Sequence, residues 1–247
     1  MNTRAAILRG APSTQDGPVP LELNRLNHAW RHLSASQRVE CALDHLPGAH
    51  VMSSSFGMQS AVMLHLVTRV VPGIPVVFVD TGYHFDETYR FVDEIADRLS
   101  LNLRVARCEM SPAWQESRYG KRWEQGSEGL RAYNLQNKVR PMQDMLQRLD
   151  AATWFSGLRR SQASSRANLA FIGHRWGGFK VHPIADWSDR DIHCYLHAHD
   201  LPYHPLREKG YLSIGDWHTT RSIHEVDDEE KLRFFGLTRE CGLHQPE

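Results

Sequence analysis

Ile74-Pro75-Val76-Val77-Phe78-Val79-Asp80-Thr81-Gly82 is the stretch whose reading decides the fold. Residues 74–79 are too apolar to face water on either side, so this strand belongs inside a sheet covered on both faces, as parallel strands are. A strand at residues 50–54 and a helix near 59–69 precede it; a helix over 86–99 and a strand at 101–106 follow. That alternation predicts right-handed crossover units and hence an α/β fold, a doubly wound and mainly parallel sheet.

Upstream, residues 21–46 carry apolar side chains at helical spacing (Leu26, Trp30, Leu33, then Val39, Ala42, Leu43, Leu46), which predicts two helices closed by Pro47-Gly48. Residues 1–20, with Pro12, Gly17, Pro18 and Pro20, read as an irregular arm. Downstream, a helical insertion at 111–137 bearing Trp114 and Trp123 leads to Lys138-Val139-Arg140-Pro141 and a helix over 142–149. Strands are predicted at 153–156 and 180–184, and a helix at 189–199. Beyond Tyr203 the chain turns rich in glycine, histidine and charge, and the acidic-then-basic order of residues 227–233 suits a helix dipole.

With 247 residues, 41% of them apolar, the chain can bury one sizeable core. Its 29 basic residues balance 29 acidic ones, so no whole-molecule field draws it to a nucleic acid polymer or an anionic membrane, and any anion must be held by a local cluster. Residues 1–10 are mixed polar and apolar with no continuous hydrophobic core and no later stretch approaches a membrane span, so neither secretion nor membrane insertion is expected. Cys41, Cys108, Cys194 and Cys241 lie far apart with no C-x-x-C, the pattern of free thiols in a reducing, cytoplasmic compartment rather than of a metal or disulfide framework.

Ligands of open parallel sheets sit beyond the carboxyl ends of the strands, so the turns that follow them hold the candidate chemistry. Ser53-Ser54-Ser55-Phe56-Gly57-Met58-Gln59-Ser60 is a hydroxyl-rich turn that either wraps a phosphate or sulfate or serves as an ordinary serine cap; no Gly-Lys-Ser/Thr follows it, so it is not a Walker loop. Asp80-Thr81-Gly82 places a carboxylate at the end of the most apolar strand, either facing a cleft or simply stabilising the turn. Gly157-Leu158-Arg159-Arg160-Ser161-Gln162, with Arg166 beyond, offers guanidinium forks for a polyanion or a solvated charge patch. Near the end, Arg239-Glu240-Cys241-Gly242-Leu243-His244 sets a lone thiol beside a cation and a histidine, which favour thiolate; alone, it could equally be a stray cysteine. His193 and His197 share one helical face, but no further metal ligand is spaced with them, so no metal site is expected.

Taken together and in order, these segments resemble the phosphoadenylyl-sulfate reductase family, within the adenine nucleotide alpha hydrolase-like folds, from about Leu43 to His244. The elements that carry the resemblance are Ser53-Ser54-Ser55-Phe56-Gly57, Asp80-Thr81-Gly82-Tyr83, Lys138-Val139, Gly157-Leu158-Arg159-Arg160, Gly210-Tyr211, Asp216, Thr220-Arg221, Arg233-Phe234-Phe235-Gly236 and Glu240-Cys241-Gly242-Leu243-His244. The resemblance implies that Cys241 is the nucleophile, and that Ser53, Ser54, Ser55, Phe56, Gly57, Asp80, Thr81, Gly82, Lys138, Gly157, Arg159, Arg160, Arg221, Arg233 and His244 bind a sulfonucleotide. It implies reduction to sulfite with thioredoxin or glutaredoxin as external reductant, no bound cofactor, and a homodimer. The iron-sulfur branch carries a Cys-Cys pair and a C-x-x-C where Tyr133, Asn134, Asp216 and Thr219 stand here, so no such cluster is expected and the 3'-phosphorylated substrate is favoured. Arg140, where many relatives have glutamate, is a departure. The domain reading is an arm at 1–20, one nucleotide-binding domain over 21–205, and a mobile C-terminal segment over 206–247. Three rivals remain at this level: a cluster-free adenylyl-sulfate reductase; an ATP pyrophosphatase-type adenylyltransferase, which would leave the Glu-Cys-Gly-Leu-His ending unused; and a non-enzymatic nucleotide sensor, against which the same ending argues.

Overall fold

A computed structural model of the chain describes residues 20–238, 242 and 243. Most of the arm expected at residues 1–20, and both Cys241 and His244, lie outside the described residues. The strands β1 (His50–Ser53), β2 (Pro75–Asp80), β3 (Asn102–Arg107), β4 (Thr153–Phe155), β5 (Ile172–Arg175) and β6 (Gly178–Val181) form one sheet in the order β3-β2-β1-β4-β6-β5. Every neighbouring pair is parallel except β5 with β6. The order reverses beside β1, which opens a crevice at the carboxyl ends of β1 and β4.

Side chains alternate across the strands, so each face receives its own cover. Met52, Val76, Phe78, Phe155 and Val181 point to the larger core, where α2 (Ala35–His45), α3 (Ser60–Val70), α4 (Asp86–Arg98) and α8 (Asp189–Ala198) bury Val39, Leu64, Phe91 and Ile192. Val51, Val77, Ala106 and Trp154 point the other way, against Met142 and Met145 of α7 (Arg140–Arg148) and against Leu243. Helices therefore lie on both faces, as the buried run 74–79 implies. The two N-terminal helices are α1 (Pro20–Ala29) and α2, parted by a short 3-10 turn; a capping box on Ser34 and Gln37 starts α2.

Three sequence expectations need correction. The strand expected at 180–184 is β6, which starts at Gly178, and its hairpin partner β5 is a strand the periodicity does not reveal. Its turn is Trp176-Gly177, both at positive φ (51° and 79°), the combination that matches strand twist in a two-residue hairpin. The helix expected at 142–149 begins earlier: α5 (Pro112–Tyr119) and α6 (Gly126–Asn134) are followed by a π-helical turn, Leu135–Val139, that runs directly into α7. There the amide of Arg140 bonds the carbonyl of Leu135, a five-residue step that admits Pro141 without its missing N–H. Finally, residues 227–233 hold only a 3-10 turn, Glu229–Leu232, because the amide of Arg221 bonds the carbonyl of Leu232 and Thr220 bridges Arg233, drawing the chain out of helix.

Candidate functional site

The serine turn leaves β1 at the crevice. The amide of Ser54 continues the sheet by bonding the carbonyl of Val77 (3.0 Å), and its hydroxyl then accepts the amide of Phe56 (3.1 Å). Phe56 is thereby held at a φ of 47° with its ring fully buried edge-on against Phe78. That anchor turns the chain into α3, whose first residues receive no side-chain cap. Ser60 Oγ, at the same helix start, is buried without a hydrogen-bond partner among the described residues. The Ser60 and Val62 amides bond the Gly57 and Gln59 carbonyls (3.1 and 3.3 Å), so the Ser60 hydroxyl is the donor that this uncapped helix start offers an anion. Ser53, by contrast, has its hydroxyl occupied by the indole N–H of Trp154 (2.7 Å).

The arginine loop follows β4 on the other side of the crevice. Gly157 packs so closely that a Cβ there would lie 2.9 Å from Met63 Cγ of α3. Arg159 is 3% exposed, and its guanidinium donates to Gln59 Oε1 (2.5 Å), Asp189 Oδ1 (2.9 Å), Ser161 Oγ (3.0 Å) and the Trp187 carbonyl (3.3 Å). It ties the start of α3 to the start of α8 and has few donors left over. Arg160 donates through Nε to the Leu169 carbonyl (2.8 Å) and lies over the Phe171 ring; its terminal nitrogens have no partner among the described residues.

Asp80 closes its own turn, Oδ1 accepting the Gly82 amide (2.9 Å) and the Tyr89 hydroxyl (2.8 Å). Thr81, the next residue, donates instead to a carboxylate from far along the chain, Asp216 Oδ1 (2.5 Å). The other carboxylate oxygen receives Lys138 Nζ (2.6 Å) and the Tyr133 hydroxyl (3.0 Å), and Asp216 is fully buried. Burial alone would raise this carboxyl, but the ammonium of Lys138 holds it well below the usual range. Burial pushes the Tyr133 hydroxyl far up, and it pushes His218 down to about 4 although Asp216 pulls the other way. The neutral His218 imidazole donates through Nε2 to the Tyr133 hydroxyl and stacks on Trp123 at 3.8 Å. Tyr83, Trp123, Leu130, Tyr133 and Phe234 enclose the group in an apolar cluster. The tryptophan-bearing insertion is thus the wall that keeps Asp216 dry and fixes the C-terminal segment to the end of β2.

Lys138, one of the cations expected at the ligand, is therefore spent on Asp216. Tyr133 and Asp216, two of the positions where the iron-sulfur branch has cysteine, do meet, through a hydrogen bond. Among the described residues, no group of three His, Cys, Asp or Glu side chains is disposed to hold a metal ion, and His193 bonds the Tyr203 hydroxyl. Arg221 makes its hydrogen bonds to the carbonyls of Thr220 and His218, and Arg233 Nη1 reaches Ser213 Oγ and the Ile214 carbonyl.

Sequence reasoning missed the groups that meet the end of the chain. Arg175 Nη2 donates to the Gly242 carbonyl (2.8 Å) and Lys180 Nζ to the Leu243 carbonyl (2.9 Å). Gly242 lies against Val139, beside Lys138, and Leu243 packs with Trp154. Beside Lys180, His182 bonds Ser156 Oγ (2.8 Å), and burial lowers its imidazole to about 3. The available signal was Lys180 itself, a charged residue inside the strand Gly178-Phe179-Lys180-Val181.

Residues 49–222 match the model of the phosphoadenosine phosphosulfate reductase domain. The chain is 58% identical to the phosphoadenosine 5'-phosphosulfate reductase of Serratia proteamaculans over 91% of its own length and 92% of the relative's. It is 56% identical to the enzyme of that name from Zymomonas mobilis, with 90% and 91% covered. Among solved structures it resembles the phosphoadenylyl-sulfate reductase of Candida auris, crystallised as a phosphate complex, at a TM-score of 0.73 and 26% identity, covering 83% of this chain and 99% of that one. An FMN adenylyltransferase of Candida glabrata, at a TM-score of 0.56 and 16% identity over 84% and 76% of the two chains, shares the fold alone.

Proposed function

The chain belongs to the phosphoadenosine phosphosulfate reductase family, and from that premise we propose that it reduces 3'-phosphoadenylyl sulfate to sulfite and adenosine 3',5'-bisphosphate. The observation that carries the reading is the seat of the tail. The two residues after Cys241 rest on the sheet beside the serine turn, since Leu243 packs on the same Trp154 whose indole bonds Ser53. A thiol on that tail and an anion at the uncapped start of α3 would meet across one crevice.

In this reading the sulfonucleotide lies across the strand ends, its adenine near the Asp80-Thr81-Gly82 turn. Its phosphosulfate lies against the Ser53–Gly57 turn and the Ser60 hydroxyl at the start of α3. Arg160 and Arg221 supply charge to the anion. Lys138 and Arg159, whose donors are engaged, act by holding the walls in place. Arg233 and His244 complete the set of proposed contacts. The Cys241 thiolate attacks the sulfate sulfur, an S–S bond forms, and the S–O bond to phosphate breaks, leaving S-sulfocysteine and the bisphosphate. The leaving phosphate needs no proton at neutral pH, and the cations stabilise the charge that gathers on it. A dithiol, thioredoxin or glutaredoxin, then attacks Cys241 Sγ and releases sulfite; its second thiol frees Cys241 and closes the disulfide, so that two electrons pass from dithiol to sulfur. No iron-sulfur cluster takes part, and the tail closes for the first step and opens for the second. The active assembly is a homodimer in the cytoplasm.

Cys241→Ser is expected to abolish sulfite release with thioredoxin supplied while the nucleotide still binds; a variant with substantial turnover would overturn the assignment. Adenylyl sulfate, assayed in parallel, is expected to be the poorer substrate.

A further inference from the structure

We propose that Arg175 and Lys180 are positioning residues for the C-terminal tail, a pair of cations that seats its main chain for the first chemical step. The proposal rests on the reading of Cys241 given above.

The register of the sheet puts both side chains on one face. Lys180 pairs with Trp154 on one side and Gly173 on the other, and Arg175 pairs with Gly178. Opposed residues share a face, as do residues two apart, so Trp154, Lys180, Gly178, Gly173 and Arg175 line a single surface. Gly173 and Gly178 lie between the two cations; a Cβ built on Gly173 would meet nothing within 4 Å, whereas one on Gly178 would lie 2.8 Å from the Ala152 carbonyl oxygen, and the Trp176 ring of the hairpin turn stacks on Trp154. Helix α7 covers β2 and β3 on this face, and over the β4 end Leu243 joins the same apolar cluster.

Both cations bond to backbone carbonyls of the tail. Fixing the carbonyls of the two residues after Cys241 fixes the main chain that carries it, whatever side chains follow. Lys180 is 5% exposed and lies 3.9 Å from the Trp154 ring centre, which gives the ammonium one direction in which to point. The Arg175 guanidinium lies 4.8 Å from the Trp176 ring, and its Nε is buried without a partner among the described residues.

The test uses the full-length protein with Lys180→Met, Arg175→Met and, as the conservative control, Lys180→Arg. Trypsin cleavage after Arg239, followed by intact mass without nucleotide, reports the undocked population. Loss of one charge-assisted bond is expected to speed cleavage about tenfold in each Met variant and much less in Lys180→Arg. Formation of the SO3 adduct in a single turnover is expected to slow by a similar factor, with nucleotide affinity unchanged. Unchanged cleavage overturns the proposal, and so does a parallel loss of nucleotide affinity, which would make Lys180 a direct ligand contact. Should Lys180→Met lose its fold by circular dichroism, Arg175→Met at the hairpin end decides alone. Cleavage needs no turnover: faster cleavage in the variants with no adduct on the wild type would sink the Cys241 reading and keep the latch, whereas adduct with unchanged cleavage would do the reverse.

Discussion

Asp216→Asn is the substitution that most directly tests how the C-terminal segment is held. The carboxylate is fully buried and receives Lys138 at 2.6 Å, Thr81 at 2.5 Å and Tyr133 at 3.0 Å. An amide keeps the shape but carries no charge, and its NH2 group cannot accept from either the ammonium or the hydroxyls. Lys138, itself only 7% exposed, would be left as an uncompensated buried cation. Removing one partner of such a pair costs about 3–5 kcal/mol, a large share of the 5–15 kcal/mol typical of a domain. Urea denaturation at neutral pH should show that loss. Lys138→Met removes the stranded charge, so Asp216→Asn with Lys138→Met should be more stable than Asp216→Asn alone. The Asp216 carboxyl is held below its ordinary pKa range in the folded protein, so its contribution is present above about pH 4 and is lost as the pH falls further. A loss below about 1 kcal/mol for Asp216→Asn, or a double variant less stable than the single, would refute the reasoning.

Two further outcomes follow from the same geometry. His182, held neutral by burial at about 3, takes up its proton only on unfolding, so its contribution is complete above the unfolded value near 6.5 and is lost as the pH falls toward 3. Between pH 6 and 4 the stability of His182→Gln should fall less steeply than that of the wild type, by about 1.4 kcal/mol per pH unit, and equal slopes in urea titrations would contradict this. Gly82→Ala should destabilise by about 1–3 kcal/mol, because the residue sits at a φ of 74° and its Cβ would come within 2.5 Å of Pro112 Cγ; an unchanged melting temperature would count against the close approach.

The parts of this molecule that local pattern dictates were readable in advance. The run 74–79 gave itself away because a strand buried on both faces cannot alternate, and the serine turn because hydroxyls and glycine gather where β1 becomes α3. Strand β5 escaped because Ile172-Gly173-His174-Arg175 is a short antiparallel edge strand, mostly polar, with no period to detect. The site was harder. Lys138 and Arg159 stand in sequence as two more cations of an anion site, and only tertiary neighbours reveal that Asp216 engages one and Gln59, Ser161, Trp187 and Asp189 the other. The meaning of Trp123 likewise depends on its stacking against His218, a residue far along the chain. Arg175 and Lys180 matter only through the strand pairing that sets them on one face.

The account stands on sulfur transfer to one side chain. Incubating the reduced protein with 3'-phosphoadenylyl sulfate, with no dithiol present, and sequencing its C-terminal peptide by mass spectrometry should find one SO3 group on Cys241, lost again when thioredoxin is added. A peptide that stays unmodified while the nucleotide is bound, or an adduct on Cys41, Cys108 or Cys194 instead, would contradict it.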